Sequence, residues 1–379
     1  MSVRKRKWTT RSGEAKEAWV VDYNDQEGGR HIHTFARKKD ADEYHATVKV
    51  DVRQGVHTAA SKSITVAQAA DDWIAYVELE GRERATIQGY RQHVDLHINP
   101  RLGRERLAKL TTPRINNFRD DLLADKSRPL AKKVLTSLKS LLRDAQRRGN
   151  VAQNVARDVS IGIDKRGKRK LKVGIDIPTR EEIKRILEAA SGRLRPLLVT
   201  AVFTGLRASE LRGLRWEDVD LKLGELHVRQ RADRYNAIGK PKSHSGERVI
   251  PLGPLVINTL REWKLACPKG DHSLVFPTAR GRIEHHKNLV RALRPVVVAA
   301  GLTDLEGEPK YTGLHALRHF YASWCINRRD DGGLELPAKV VQERLGHASI
   351  VMTMDRYGHL FPRTDDGAEL AAAERALLA

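Results

Sequence analysis

The spacing of apolar side chains changes character along this chain. Residues 18–23 and 31–35 alternate between apolar and polar positions, the two-residue repeat of a strand buried on one face. Between them lies Asn24-Asp25-Gln26-Glu27-Gly28-Gly29, a turn-forming stretch, so a hairpin is expected. From about residue 39 to 50 the repeat lengthens to that of a helix, which makes residues 1–60 a small ββα unit. Residues 64–158 keep helical spacing throughout, in segments at 66–79, 85–97, 113–124 and 129–148. Thr112 before Pro113 and Ser127 before Pro129 mark helix starts, because a first-turn proline gives up an N–H that has no partner there. Gly149-Asn150 is a stop signal.

Pro178-Thr179 opens a further helix at Arg180-Glu181-Glu182, with Thr179 as its cap. Beyond it the pattern is α-rich, with a small sheet around 220–252, where Glu225-Leu226-His227-Val228-Arg229 alternates, and an Ala-rich end after Ala368. The fold class read from this pattern is mainly α with small β-sheets (α+β). Its parts are an N-terminal unit (1–60), a helical domain (61–160), a linker (161–177) and a C-terminal domain (178–379).

Composition narrows the partners. The chain has 379 residues with 40% hydrophobic and 31% charged positions, so two or three solvated domains with real cores are feasible. Its formal charge of +21 repels itself in a compact state unless a polyanion offsets it, and the excess runs along the whole chain rather than along one tail. Nucleic acid is therefore the first partner to consider, with uniform solubilisation by lysine and arginine as the plainer alternative. No run of about 18 apolar residues could span a bilayer, and the basic start Met-Ser-Val-Arg-Lys-Arg-Lys lacks the apolar stretch of a signal peptide. Membrane association is not expected. Cys267 and Cys325 stand far apart in no metal-type spacing, which fits a reducing cytoplasm. Between the helical and C-terminal domains, residues 165–172 hold six basic side chains in eight: Lys165, Arg166, Lys168, Arg169, Lys170 and Lys172. So dense a cluster is expected to pack against neither domain and to track a phosphate backbone, or simply to be a solvated linker.

Four further clusters carry chemistry-bearing residues. Arg207 and Glu210 lie three apart in Thr204-Gly205-Leu206-Arg207-Ala208-Ser209-Glu210, the spacing of one helix face and, taken alone, of a surface ion pair. Lys242, between two short strands, is expected at the tip of a hairpin. His315 and Arg318, in His315-Ala316-Leu317-Arg318-His319, can face one target. His315 and His319 also have the spacing of a metal pair, but Ala316 stands where a zinc protease carries glutamate and no third ligand is spaced nearby. Leu345-Gly346-His347 ends a helix begun after Pro337, and Tyr357 follows ten residues after His347.

In order and spacing these clusters resemble the tyrosine recombinases, the phage-integrase family. The matching positions are Arg207, Lys242, His315, Arg318, His347 and Tyr357, with Glu210 as the supporting acid. The likeness covers residues 178–362 strongly, and Pro251-Leu252 closing the hairpin fits it. The ten-residue step to Tyr357 is one longer than in several members. The resemblance implies that residues 1–60 bind distant arm sites and that 61–160 form a core-binding domain. It further implies a homotetramer on two DNA attachment sites, with an excisionase and a host DNA-bending protein as possible accessories. The Ala-rich tail, as a helix, could then dock on a neighbouring subunit or on its own domain.

The implied chemistry suits the residue types. Two guanidinium forks clamp the nonbridging oxygens of a phosphodiester as lysine cannot. Tyr357, with an ordinary phenol pKa of about 10, needs help to ionise at pH 7, and His315 is the expected proton-handling group. Lys242 would protonate the leaving 5′-oxygen, while Glu210 holds Arg207 or His315. A tyrosyl phosphodiester keeps the energy of the broken bond, so neither metal nor other cofactor is expected, and the sequence offers no convincing P-loop. A type IB topoisomerase and a non-catalytic DNA-binding regulator are the rival readings.

Overall fold

A computed structural model describes residues 2–10, 13–24, 28–53, 63–162, 170–362 and 366–379. The chain divides into two compact units, residues 1–165 and 166–379.

The first unit begins with a three-stranded antiparallel sheet in the order β1 (Ser2–Thr9), β2 (Ala15–Asn24), β3 (Arg30–Phe35). The expected hairpin is β2–β3, with Trp19 opposite Phe35 and Tyr23 opposite His31. β1 has no counterpart in the hydrophobic pattern because Arg4-Lys5-Arg6-Lys7 offers no apolar face. It forms through backbone pairing with β2, in register from Ser2 opposite Asp22 to Thr9 opposite Ala15. Val21 and Tyr23 bury against Ala41 and Val48 of α1 (Lys38–Arg53).

The helical part comprises α2 (Val66–Leu79), α3 (Arg84–His93), α4 (Asn99–Leu102), α5 (Thr112–Asp125) and α6 (Arg128–Arg147). A π-helical turn, Val94–Ile98, joins α3 to α4, so the segment expected at 85–97 runs on to Leu102. The cap of α5 is Thr111 rather than Thr112: its hydroxyl accepts the Arg114 N–H, and Thr112 is already the first helical residue. Ser127 stands at the N-cap of α6 but makes no side-chain bond there. Phe118, Leu122, Leu138 and Leu141 are fully buried and make this part's own core.

In the second unit α7 (Arg180–Ala189) starts at the expected cap. The Thr179 hydroxyl accepts the Glu182 N–H, and the Glu182 carboxylate accepts the Thr179 N–H. Then follow α8 (Leu194–Thr204), α9 (Ala208–Gly213), β4 (Val219–Asp220), β5 (Glu225–Val228), β6 (Arg231–Ala232), β7 (Ile238–Gly239) and β8 (Arg248–Pro251). The remainder is helical: α10 (Pro254–Ala266), α11 (His286–Ala299), α12 (His315–Ile326), α13 (Ala338–Leu345), α14 (Ile350–Tyr357) and α15 (Asp366–Leu378).

The expected sheet divides in two, an antiparallel β4-β5-β8 and a separate β6–β7 pair. Leu226 and Val228 of β5 and Ile250 of β8 point inward and share one core with Val202, Leu211 and Leu260. Among the described residues no helix is long and apolar enough to cross a membrane.

Candidate active site

α8 ends at Gly205, whose φ of +60° turns the chain out of the helix. Arg207 follows in extended backbone as the residue preceding α9, not on a helical face shared with Glu210 as the spacing implied. Glu210 closes this turn from inside the helix. Its Oε2 accepts the Arg207 backbone N–H at 2.9 Å, and its Oε1 accepts from Arg207 Nη1 at 2.7 Å. The other arm of the guanidinium, Nη2, donates to the Gly346 carbonyl at 2.9 Å.

Arg318, one turn into α12, is 2% exposed. Its Nη1 donates to the Gly205 carbonyl at 2.6 Å and its Nη2 to the Leu345 carbonyl. Both arginines are thus held by carbonyls at the C-terminal ends of α8 and α13, where unsatisfied acceptors and the negative end of the helix dipole favour cations. The two glycines there are required by space as well as by conformation. A Cβ on Gly205 would lie 2.3 Å from the Tyr321 ring, and one on Gly346 (φ +62°) would lie 2.9 Å from Arg248 Nη1 and from the Ser245 carbonyl.

Arg248, not singled out by the sequence pattern, completes the arrangement. It starts β8 opposite Val228 and donates Nη2 to Glu210 Oε2 at 2.8 Å and Nε to the Arg344 carbonyl at 2.8 Å. Burial works to raise the Glu210 pKa, but the charges of Arg248, Arg207 and Arg318 outweigh it and hold it at about 2. Glu210 is therefore an ionised acceptor shared between two guanidiniums.

Tyr357 closes α14. Its buried hydroxyl lies 2.7 Å from Nδ1 of His319, which is also buried. The His347 ring stacks parallel to the Tyr357 ring at 6.3 Å, and His347 Nδ1 meets Thr353 Oγ1 at 2.9 Å. His315, on the first turn of α12, sets its ring edge-on to His319 at 4.5 Å. Burial, then the charges of His315, Arg356 and Arg318, push the His319 pKa down to about 3; burial, then Arg318 and Arg207, push that of His347 down to about 4. His315 is lowered for the same reasons, and burial raises Tyr357 against the pull of Arg318, Arg356 and Arg207. All three imidazoles are neutral near pH 7 in this state.

These groups face a cavity of about 460 Å³ whose wall includes Arg207, His315, Arg318, His347 and Tyr357, five of the six residues singled out for catalysis. Lys242 does not line it. The tip of the β6–β7 hairpin is formed by residues 233–237, where the Asp233 carboxylate accepts the Tyr235 and Ala237 N–H groups. Lys242 comes after β7, exposed, on the way to β8, rather than at the hairpin tip.

His319 entered the sequence reading only as a possible metal partner of His315. Nothing in its spacing shows that α14 would bring Tyr357, 38 residues further along the chain, to it. Among the described residues no three His, Cys, Asp or Glu side chains could together hold a metal ion. Of the basic run, Lys165, Arg166, Lys168 and Arg169 lie outside the described residues. Its end does pack, contrary to expectation: Lys170 lines the cavity, Leu171 joins the apolar core and accepts a bond from His359 Nε2 at 2.7 Å, and the Lys172 N–H donates to Asp176.

Residues 178–363 match the Phage integrase family. The tyrosine recombinase XerC-like protein of Caldanaerobacter subterraneus subsp. tengcongensis is 27% identical over 353 residues, covering 86% of this chain and 87% of that protein. An integrase of Streptomyces ambofaciens is 26% identical over 373 residues, covering 91% of this chain and 90% of that protein. Among solved structures, the Tn1549 transposon integrase in complex with transposon right end DNA superposes with a TM-score of 0.66 at 21% identity, over 83% of this chain and all of that one. A lambda integrase tetramer bound to a Holliday junction gives a TM-score of 0.58 at 18% identity, over 90% of this chain and 95% of that one. Those two likenesses establish the α+β fold. With Arg207, Arg318, three histidines and Tyr357 gathered at one cavity inside the matched region, and Glu210 bonded to Arg207, the chain belongs to the phage integrase family, that of the tyrosine recombinases.

Proposed function

We propose that this site-specific recombinase cleaves and rejoins DNA through a 3′-phosphotyrosyl intermediate on Tyr357. The observation that carries the reading is Tyr357 in the wall of the same cavity as Arg207 and Arg318. A phosphodiester seated there meets two cationic forks held in place before it arrives, the preorganisation on which charge stabilisation in a transition state depends. Comparable arginine contacts in phosphoryl transfer accelerate the reaction by about 10³–10⁵.

In the forward step the Tyr357 oxygen bonds to phosphorus and the bond to the 5′-oxygen breaks. His347, neutral and oriented by Thr353, donates to a nonbridging oxygen. His315 faces the same cavity as a proton-handling group. Lys242, exposed on the segment between β7 and β8, is the general acid for the leaving oxygen. A second DNA hydroxyl then attacks the phosphotyrosine, reversing the chemistry with no external energy source or cofactor.

The biological role we infer is integration and excision of a mobile element such as a prophage or genomic island, in the cytoplasm. The integrase relatives support this reading. The partners are double-stranded attachment sites and three further copies of the chain, with an excisionase and a host DNA-bending protein as accessories. Self-association is supported by the exposed Ile350, Val351 and Met352 on α14 and Leu370 and Leu377 on α15. Residues 1–60 as the arm-site unit, 61–160 as the core-binding domain and Lys165–Lys172 as a phosphate-tracking run remain part of this proposal.

The test is covalent trapping on nicked suicide duplexes made from the DNA flanking the protein's own gene. Wild type should give a denaturation-resistant adduct with nucleotide on Tyr357, and Tyr357→Phe should give none while binding equally well. Tight, salt-sensitive binding without any adduct would overturn the catalytic reading in favour of a regulator. Relaxation of supercoils without partner exchange would indicate topoisomerase chemistry.

A further inference from the structure

We propose that the proton leaving Tyr357 as it attacks phosphorus is taken by Nδ1 of His319, and not by His315. This rests on the reading of Tyr357 as nucleophile and assigns the base for that step. Three observations converge on it. The Tyr357 hydroxyl and His319 Nδ1 are 2.7 Å apart, within the reach that a general base needs. Both side chains are buried, Tyr357 to 2% and His319 to 6% exposure, which fixes their mutual geometry. His315 contacts the ring of His319, edge-on at 4.5 Å, rather than the hydroxyl.

The step balances without any further reactant. The Tyr357 oxygen forms its bond to phosphorus while the bond from phosphorus to the 5′-oxygen breaks. The hydroxyl proton moves to His319 Nδ1, and the departing oxygen takes a proton from the general acid. Nδ1 accepts in the tautomer whose proton sits on Nε2.

The surroundings also give the step a gate. At rest, burial, His315 on the same helix and the cations Arg356 and Arg318 disfavour an imidazolium at His319, and the charge of Asp176 acts in the opposite direction. The imidazole therefore keeps its lone pair, but full transfer from a tyrosine whose own pKa is raised is far uphill. A bound phosphodiester brings negative charge beside Arg318 and offsets the field that opposes protonation of His319. Tyr357 is then activated only when a phosphate is clamped, which keeps it from reacting in the absence of DNA.

The experiment is single-turnover adduct formation by the full chain on a nicked suicide duplex, comparing wild type with His319→Asn and His315→Asn. Asparagine places an amide oxygen near the position of Nδ1, so it still accepts the hydroxyl's bond but cannot take its proton. His319→Asn should bind DNA normally, form adduct about 10²–10⁴-fold more slowly, as expected for loss of a general base, and show a rate that rises with pH as tyrosinate forms, where wild type stays level near neutral pH. His315→Asn should keep the level profile. A 5′-bridging phosphorothiolate, whose sulfur leaves without a proton, should not rescue His319→Asn. Rescue by it would place His319 on the leaving group and overturn the proposal, as would a His319→Asn rate within threefold of wild type.

Should His319→Asn fail to fold, fluorotyrosines at position 357 in the otherwise unaltered chain decide the question. A base in the transition state leaves the rate only weakly dependent on phenol acidity, whereas a rate rising in proportion to it means free tyrosinate attacks and overturns the assignment. No adduct from wild type itself would instead overturn the functional reading beneath it.

Discussion

Glu210 sits where guanidiniums would otherwise face one another. It is 3% exposed and accepts from both Arg207 and Arg248, and the charge of Arg318 also acts on it. Its carboxyl is held at about 2 against an ordinary 4.5, so the stability it contributes is fully present above pH 4.5 and is lost as pH falls from there through 2. A shift of that size corresponds to roughly 3 kcal/mol. His347 acts in the same sense over a higher window: held at about 4 against 6.5, it favours the folded state above pH 6.5 and ceases to do so as pH falls through 4. Denaturant melts should therefore show stability declining in two overlapping stages on acidification from about pH 6.5. Glu210→Gln should lower stability at pH 7 by about 3–5 kcal/mol, because Arg248 is left buried without its counter-charge. It should also flatten the stage between pH 4.5 and 2. An unchanged acid profile in that variant would show that the carboxylate does not carry the effect.

At the scale of elements, the site is built from the ends of helices. α8 and α13 both stop at a glycine in the left-handed region, and the carbonyls exposed there are the ones that hold Arg318 and Arg207. Gly346→Ala would cost about 1–2 kcal/mol for backbone conformation alone and would also press on Arg248. It should therefore lower the melting temperature by several degrees and slow adduct formation more than Arg248→Lys does. Equal adduct rates in Gly346→Ala and wild type would refute the role given to that turn.

How far such an arrangement can be read in advance depends on which interactions are local. The cap of α7 at Thr179, the β2–β3 hairpin and the helical spacing of α2 and α6 follow from neighbouring residues, and they were legible. β1 was not, because its arginines and lysines show no apolar face and only pairing with β2 defines it. The site divides in the same way. Arg207, His315, Arg318, His347 and Tyr357 stood out through their order along the chain, but Arg248 and His319 earn their places from partners 38 residues distant in each case. Lys242 was placed at a hairpin tip because alternation locates strands but not the length of the turn between them.

For the whole molecule the governing quantity is charge. The formal excess of +21 is spread over both compact units, so affinity for DNA should come from many phosphate contacts, each releasing condensed counterions. Binding that neutralises about 6–10 phosphates loses about 10³–10⁵ in affinity between 50 and 200 mM salt, with a log–log slope near −0.9 per contact. Tyr357→Phe leaves that charge untouched and should reproduce the wild-type slope. Substituting alanine for Lys170 and Lys172, at the end of the basic run, should make the slope shallower by up to two contacts on attachment-site and unrelated duplexes alike. Phosphate contacts position a protein without reading bases, so the loss should be uniform across sequences. Fluorescence-anisotropy titrations at four or five salt concentrations measure both slopes. A loss confined to the attachment site would mean that these lysines read sequence, and an unchanged slope would remove them from the DNA interface.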